Sequence, residues 1–398
     1  MKICIIGSGR KGLTMARTLF DLGAHVSVFH RNEAGGFAHE LLSHLSQDLT
    51  AEWSQKNIDQ QLLNWAHEAG ILRQGEVVRV HKRILNREQD FSNKSRLHDL
   101  FRVVYKADFS KDLLKQREEN PELFEKLDRE LVNSLQGTLE NFDDFDIVIN
   151  ASGTYSQPKF AGPAGEKSLN EDLSQNFYGL EALEKIEQAK AHQKIVIVGS
   201  GTLAAMAMLK LENWLATDLN RELHIITTEV PPFSKLKKEW PLLYKKVEVM
   251  IDRYYHLWLE NTENYRRDVH AWREMEEHLR AKSAIPQEPQ SQLMIRPEFQ
   301  LMAFDLLSDR SGIFVTAESI KDNDVLVTIA CDQVLVFTGH QQNIKMDQQL
   351  RTERNLALKG ASDNSGLQPE PGYYLLSEVE QVPSVQNNIL QFFSRVAE

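Results

Sequence analysis

The sequence predicts an α/β protein made of two parallel-sheet domains, the second inserted into the first, with a helical elaboration. Three observations carry the prediction. Residues 2–31 read as strand, glycine turn, amphipathic helix and strand; residues 194–226 repeat that order; and two more apolar strands run straight into a small residue and a glycine, at Ser152-Gly153 and Thr338-Gly339. On this reading the 398-residue chain divides into a discontinuous domain, residues 1–158 and 325–398, and an inserted one, residues 159–324, with the helical insertion at about 235–283.

The first unit begins with an apolar strand, Ile3 to Ile6, and continues through Gly7, Gly9 and Gly12 into a helix with Leu13, Ala16, Leu19, Phe20 and Leu22 as its apolar positions. A second strand carries Val26, Val28 and Phe29. In a G-x-G-x-x-G turn the first glycine makes the tight turn, the second lets backbone approach a pyrophosphate, and the third lets helix pack on strand. The helix N-terminus then offers free N–H groups and positive potential to the anion. The second copy, Gly199, Gly201 and Ala204, follows the strand Lys194 to Val198 and precedes a helix through Leu209, Leu211, Trp214 and Leu215 and a strand through Leu223, Ile225 and Ile226. Two such units, each in its full context, predict two Rossmann-like dinucleotide-binding domains.

The intervening stretches fit around these units. Gly35 and Gly36 predict a close backbone approach to a ligand or a tight turn after the second strand. A helical region follows to about Gly70, then a strand-like run at Val77–Val80, the basic Lys82 and Arg83, an apolar-rich stretch from Arg96 to Tyr105, and a charged, helix-patterned stretch at 110–140. Ile147 to Ile149 form a buried strand whose exit, Ala151-Ser152-Gly153, lies where the carboxyl ends of strands form a ligand crevice. Residues 235–283, rich in charge and aromatics, read as two long helices whose aromatic stripe serves as core or as a subunit interface, ended by Pro286 and Pro289. A helix over Phe299 to Leu307 and strands at 313–315, 325–329 and 334–337 follow, and residues from Pro369 to the end pack the C-terminus.

Composition narrows the function. A net charge of −11 and a pI near 5.7 oppose nucleic-acid binding, which needs a basic surface. Two cysteines, Cys4 and Cys331, allow no disulfide framework and predict a reducing compartment. No apolar run is long enough to span a bilayer and the chain opens on a core strand, so a cytoplasmic protein without membrane partners is expected. The 13 histidines show no H-E-x-x-H spacing, and Ser200 lies in a phosphate turn, not on a G-x-S-x-G elbow; neither a metal nor a catalytic triad is predicted, and no catalytic residue is assigned.

The order of these segments, with Pro158 trailing Gly153 by five residues, resembles the flavoproteins with two dinucleotide-binding domains, the superfamily of flavin-containing monooxygenases and thioredoxin-reductase-like enzymes. The resemblance implies an FAD-dependent oxidoreductase that uses NAD(P)H on a small-molecule substrate, monooxygenase-like because no C-x-x-C is present for a redox disulfide. It implies FAD at Gly7, Gly9, Gly12, Gly35 and Gly36, and Ser8, Arg10, Lys11, His30, Arg31, Ser152 and Gly153 are further candidate cofactor-binding residues. It implies the nicotinamide nucleotide at Gly199, Ser200, Gly201, Thr202 and Glu229, with Thr338-Gly339 at the return into the flavin domain.

Four departures mark this chain. His30 stands where the superfamily carries an acid for the adenosine ribose, with Glu33 as a possible substitute, and His30-Arg31 also suits the 2′-phosphate of NADP. Arg10 and Lys11 replace proline and a small residue. Thr227, Thr228 and Glu229 carry no arginine, which favours NAD at the second site, and no C-terminal glycine-aspartate is present for the flavin ribityl chain. Two other readings compete: a single-cofactor NAD(P) dehydrogenase resembling ketopantoate and glycerol-phosphate reductases, and a nucleotide-binding or interaction protein without turnover, its 235–283 helices forming an oligomer or partner surface.

Overall fold

The computed structural model describes residues 1–83, 99–108, 138–154, 157–306, 312–322, 324–341, 345–350, 352, 370–376 and 379–397. Most of the stretch 110–140, together with Arg96, Leu97, Leu307 and Pro369, lies outside them. The chain forms two compact units, one of residues 1–155 and 342–398, the other of residues 156–341.

In the first unit, β1 (Lys2–Ile6), β2 (His25–His30), β3 (Leu72–Gln74) and β7 (Ile147–Asn150) join Tyr373–Leu375 in a five-stranded sheet, every pair parallel. Its order is Tyr373–Leu375, β7, β1, β2, β3, so the strand that feeds the glycine turn is central. Alternation along β1 explains the layering. Ile3 and Ile5 face helix α1 (Arg10–Asp21) and the C-terminal helix Val382–Ala397, while Cys4 and Ile6 face the opposite side. There an antiparallel sheet of β4 (Glu76–Lys82), β5 (Phe101–Asp108) and β6 (Thr138–Phe145) covers the core with Val80, Phe101, Val103 and Phe145. Each fully buried side chain of this size contributes roughly 1.5–3 kcal/mol. Helix α1 buries Leu13, Met15, Ala16 and Leu19; Phe20 and Leu22, expected on that face, are exposed.

The second unit repeats the plan. β9 (Phe177–Tyr178), β10 (Lys194–Val198), β11 (Glu222–Thr227), β12 (Leu293–Pro297) and β16 (Gln333–Val336) form a parallel sheet in the order β9, β16, β10, β11, β12. Helix α2 (Thr202–Ala216) follows the turn, and an antiparallel sheet of β13 (Phe299–Leu306), β14 (Ile313–Ser319) and β15 (Leu326–Cys331) packs on the other face through Leu301, Phe304 and Val315. The entering and leaving segments, β8 (Gln157–Pro158) and β17 (His340–Gln341), pair antiparallel.

Three expectations are corrected. The boundary at 325 is wrong: β15 and β16 belong to the second unit, because β16 pairs in parallel with β10 over Ile195↔Gln333 to Val198↔Val336. Phe299–Leu306 is a strand, not a helix; a bulge between Leu301 and Ala303 puts Leu301 and Phe304 on one face, a spacing of three that mimics a helical period. The 235–283 insertion holds one helix of 34 residues, α4 (Pro241–Glu274), with the short helix α3 (Ser234–Glu239) before it. Leu243, Val247, Met250 and Tyr254 bury the first part of α4, which packs on α2, and Tyr255 beyond them is 54% exposed. No helix among the described residues is long and apolar enough to cross a membrane.

Candidate functional site

Both glycine turns are built the same way. The N–H of Gly7 donates to the carbonyl of Phe29 and that of Gly199 to Ile226, tying each turn to the end of the neighbouring strand. Gly7 (φ 107°) and Gly199 (φ 113°) adopt a conformation that side chains rarely take. A Cβ on Gly7 would come 2.7 Å from the carbonyl oxygen of Ala151, and one on Gly199 would come 2.4 Å from that of Phe337. The exits Ala151-Ser152-Gly153 and Phe337-Thr338-Gly339 therefore occupy equivalent places, each against its own unit's turn. Thr338 and Gly339, expected at the return into the first domain, line a cavity of the second unit, whose last residue is Gln341, and their strand is β10's parallel neighbour.

Gly9 and Gly201 are the N-caps of α1 and α2, neither helix has a side-chain cap, and nothing lies within 4 Å of where their Cβ atoms would be. Neither first turn contains an acidic residue. Each helix thus presents backbone N–H donors and its positive dipole end beside an uncrowded turn, the arrangement that holds a phosphate.

The serine between the glycines fastens each turn to the loop after the second strand. In unit 1, Ser8 Oγ accepts from the N–H of Gly35 at 3.1 Å, and a Cβ on Gly36 would lie 3.2 Å from Gly9, so this loop closes on the turn. Ser152 is fixed by Asn150 Oδ1, which accepts from its N–H (3.2 Å) and hydroxyl (2.7 Å). Asn150 Nδ2 donates to Tyr373 Oη, and Tyr373 donates to Asp347 Oδ2 at 2.9 Å. This chain escaped sequence reading because Asn150 and Tyr373, which join its two halves, lie 223 positions apart.

His30 ends β2, with Nδ1 2.9 Å from the carbonyl of Asn32. Burial lowers its pKa, outweighing the carbonyl's opposite effect, and His67 lowers it further. A neutral ring whose Nδ1–H donates to Asn32 leaves Nε2 as an acceptor, suited to a ribose hydroxyl and not to a phosphate dianion. Glu33, the proposed substitute, pairs with His39 at 2.9 Å instead. Arg10 and Arg31 are exposed, and Lys11 is half-buried.

In unit 2 a cavity of about 390 Å3 opens at the carboxyl ends of β10, β11 and β16, lined by the turn Gly199–Gly201, Glu229, Lys235, Thr338 and Gly339, with the Gly162–Gly165 loop opposite. Thr338 Oγ1 donates to the carbonyl of Phe160 at 2.7 Å. Ser200 is a relay: its hydroxyl accepts from Thr227 Oγ1 at 2.7 Å and donates to Glu229 Oε2 at 2.6 Å. Glu229 Oε1 accepts from Ser234 Oγ (2.5 Å) and the N–H of Lys235 (2.8 Å). Burial alone would raise the Glu229 pKa, but the hydrogen bonds from Ser200, Ser234 and Lys235 together bring it below the ordinary glutamate range. Because the folded carboxyl titrates lower than the unfolded one, its stabilisation is complete above the unfolded pKa and disappears as pH falls through the folded one. Glu229→Gln is therefore expected to lower the melting temperature modestly at neutral pH, with the gap to wild type closing in acid, as thermal melts across pH will show. Sequence reading found Glu229 and Ser200 but missed Ser234, the first residue of the short helix α3, which no motif marks.

No protein-family model matches the chain, and no curated protein matches its sequence. Solved structures do. The FAD-bound cadaverine monooxygenase of the desferrioxamine pathway from Erwinia amylovora is 12% identical with a TM-score of 0.50, covering 98% of this chain and 93% of its own. The reduced ornithine hydroxylase of Pseudomonas aeruginosa is 13% identical with a TM-score of 0.51 over 99% of each chain. At such identities the likeness is one of fold: the chain has the overall architecture of these two structures.

Proposed function

We propose that this chain is an FAD-dependent oxidoreductase that uses NAD(P)H on a small molecule and is monooxygenase-like, with FAD at the Gly7–Gly12 turn and the nicotinamide nucleotide at Gly199–Ala204. The observation that carries the reading is the duplication of one cradle. Each unit presents an uncapped helix N-terminus, an open second glycine and a serine that closes the next loop onto the turn. Gly7, Ser8, Gly9 and the Gly35-Gly36 loop would hold the FAD pyrophosphate, with His30 Nε2 accepting from the ribose and Ser152-Gly153 offering backbone. Gly199, Ser200, Gly201 and Thr202 would hold the second pyrophosphate. When bound, the two groups supply hydride transfer from nicotinamide to flavin and reduction of oxygen by the reduced flavin. A dithiol relay finds no support: Cys4 and Cys331 are buried in strands of different units, and burial pushes the Cys331 thiol up to about 12 and raises Cys4 as well.

The absorption spectrum of the purified protein tests this. A yellow protein that releases FAD on denaturation, and whose colour bleaches anaerobically on adding NADH or NADPH, is expected. A colourless protein that ignores added FAD yet is thermally stabilised by NADPH alone would overturn it in favour of the single-cofactor dehydrogenase.

A further inference from the structure

The tethering of Glu229 carries a consequence for which nucleotide the second unit accepts. A carboxylate offers about four lone-pair positions. In Glu229 both on Oε1 are taken, by Ser234 and the N–H of Lys235, and one on Oε2 is taken by Ser200, itself held by Thr227. One position on Oε2 remains. It sits just beyond the end of β11 and lines the cavity beside the turn, the region where the adenosine ribose of a dinucleotide lies.

A ribose 2′-hydroxyl can donate to that remaining position. A 2′-phosphate cannot, and it brings like charge against a carboxylate. An acid on a free side chain can rotate away from a phosphate; this one would first have to break charge-assisted hydrogen bonds to Ser200, Ser234 and Lys235. The equivalent serine of the first unit makes no such arrangement: Ser8 accepts from a backbone N–H, so that turn is closed without placing a negative charge beside it. The difference between the two units is thus a carboxylate and the hydroxyls that immobilise it.

We propose that Ser200 and Ser234 are positioning residues that fix Glu229 as the selector of NADH over NADPH in the second unit. The proposal rests on the reading of this cavity as the nicotinamide-nucleotide site.

The test is calorimetric titration of the full-length protein with NADH and, separately, with NADPH, alongside apo melting curves. Wild type is expected to bind NADH at least about tenfold more tightly, because the 2′-phosphate brings like charge against the fixed carboxylate. Glu229→Gln should erase the preference. Ser234→Ala should reduce it about fivefold or more, chiefly by admitting NADPH, while its apo melting curve stays cooperative, and Ser234→Thr should restore it. Ser200→Ala should act in the same direction.

Wild type binding both nucleotides equally, with Gly201→Asp abolishing both, overturns the proposal and leaves the site reading intact. A wild-type preference for NADH that Glu229→Gln removes but neither serine variant alters overturns the positioning role. Absence of binding by either nucleotide overturns the site reading, and the proposal with it.

Discussion

Gly9→Asp is expected to strip the cofactor from the first unit, lowering its affinity at least about a hundredfold, without destabilising the protein. The two effects separate because of where Gly9 sits. Its φ of −69° and ψ of 172° suit any residue, and nothing lies within 4 Å of the Cβ position, so the fold has room for the side chain. An aspartate at an N-cap can also accept from the first turn of α1, a contact that typically stabilises by about 0.5–2 kcal/mol. The room is what a pyrophosphate would use. A carboxylate about 4 Å from a phosphate charge costs about 4 kcal/mol at an effective dielectric near 20, which is close to three decades of affinity. The measurement is the FAD-to-protein ratio after desalting, paired with melting of both apo proteins. Full stoichiometry in the variant would refute the assignment of FAD to this turn.

What the sequence disclosed and what it withheld divide along sequence distance. The turns were legible because strand, glycines and helix lie within about thirty residues and each has a local physical job. The partner of each turn was not. Ser152-Gly153 and Thr338-Gly339 look alike as strand exits, and only the pairing of β16 with β10, across some 140 positions, assigns the latter to the second unit. In the antiparallel sheet of the first unit β6 went unread for another reason: it carries Asp143 and Asp144 among its residues, an acidic run that suppresses the strand pattern until Arg73 and Arg102 are seen to pair with them.

Local patterns also misled. Between Leu301 and Ala303 a bulge turned a period of two into one of three. The stretch expected to form two long helices forms one, α4, which passes unbroken through the polar run Asn261-Thr262-Glu263-Asn264. Asparagine and threonine cost only about half a kcal/mol each in a helix interior, and packing of Leu243 to Tyr254 on α2 anchors the whole. The tether on Glu229 had half a signal: Thr227 and Ser200 stand in motif positions, whereas Ser234 enters only through the path of the loop.

Gly12→Ala is expected to be among the most destabilising single-methyl changes in the first unit, a loss of about 2 kcal/mol. A Cβ at Gly12 would stand 2.0 Å from the carbonyl oxygen of Gly7, 3.1 Å from its carbon and 3.4 Å from Ile5 Cγ2. The obstacle is backbone at the turn, and relief requires α1 to lift off β1, opening the packing of Leu13 and Ala16 against Ile3 and Ile5. Overpacking of this kind costs roughly 1–3 kcal/mol and sometimes more, while alanine's better helix propensity returns only about 1 kcal/mol. The second unit supplies the comparison. Its motif has Ala204 at the same place, fully buried, so α2 already stands far enough from β10 to admit a methyl group. There the reverse change, Ala204→Gly, should cost only about 1 kcal/mol, from lost helix propensity and a methyl-sized void. Denaturant titration of both variants measures the contrast. Equal stabilities for wild type and Gly12→Ala would mean that α1 shifts freely on its sheet, and the third glycine would then owe its place to something other than close packing.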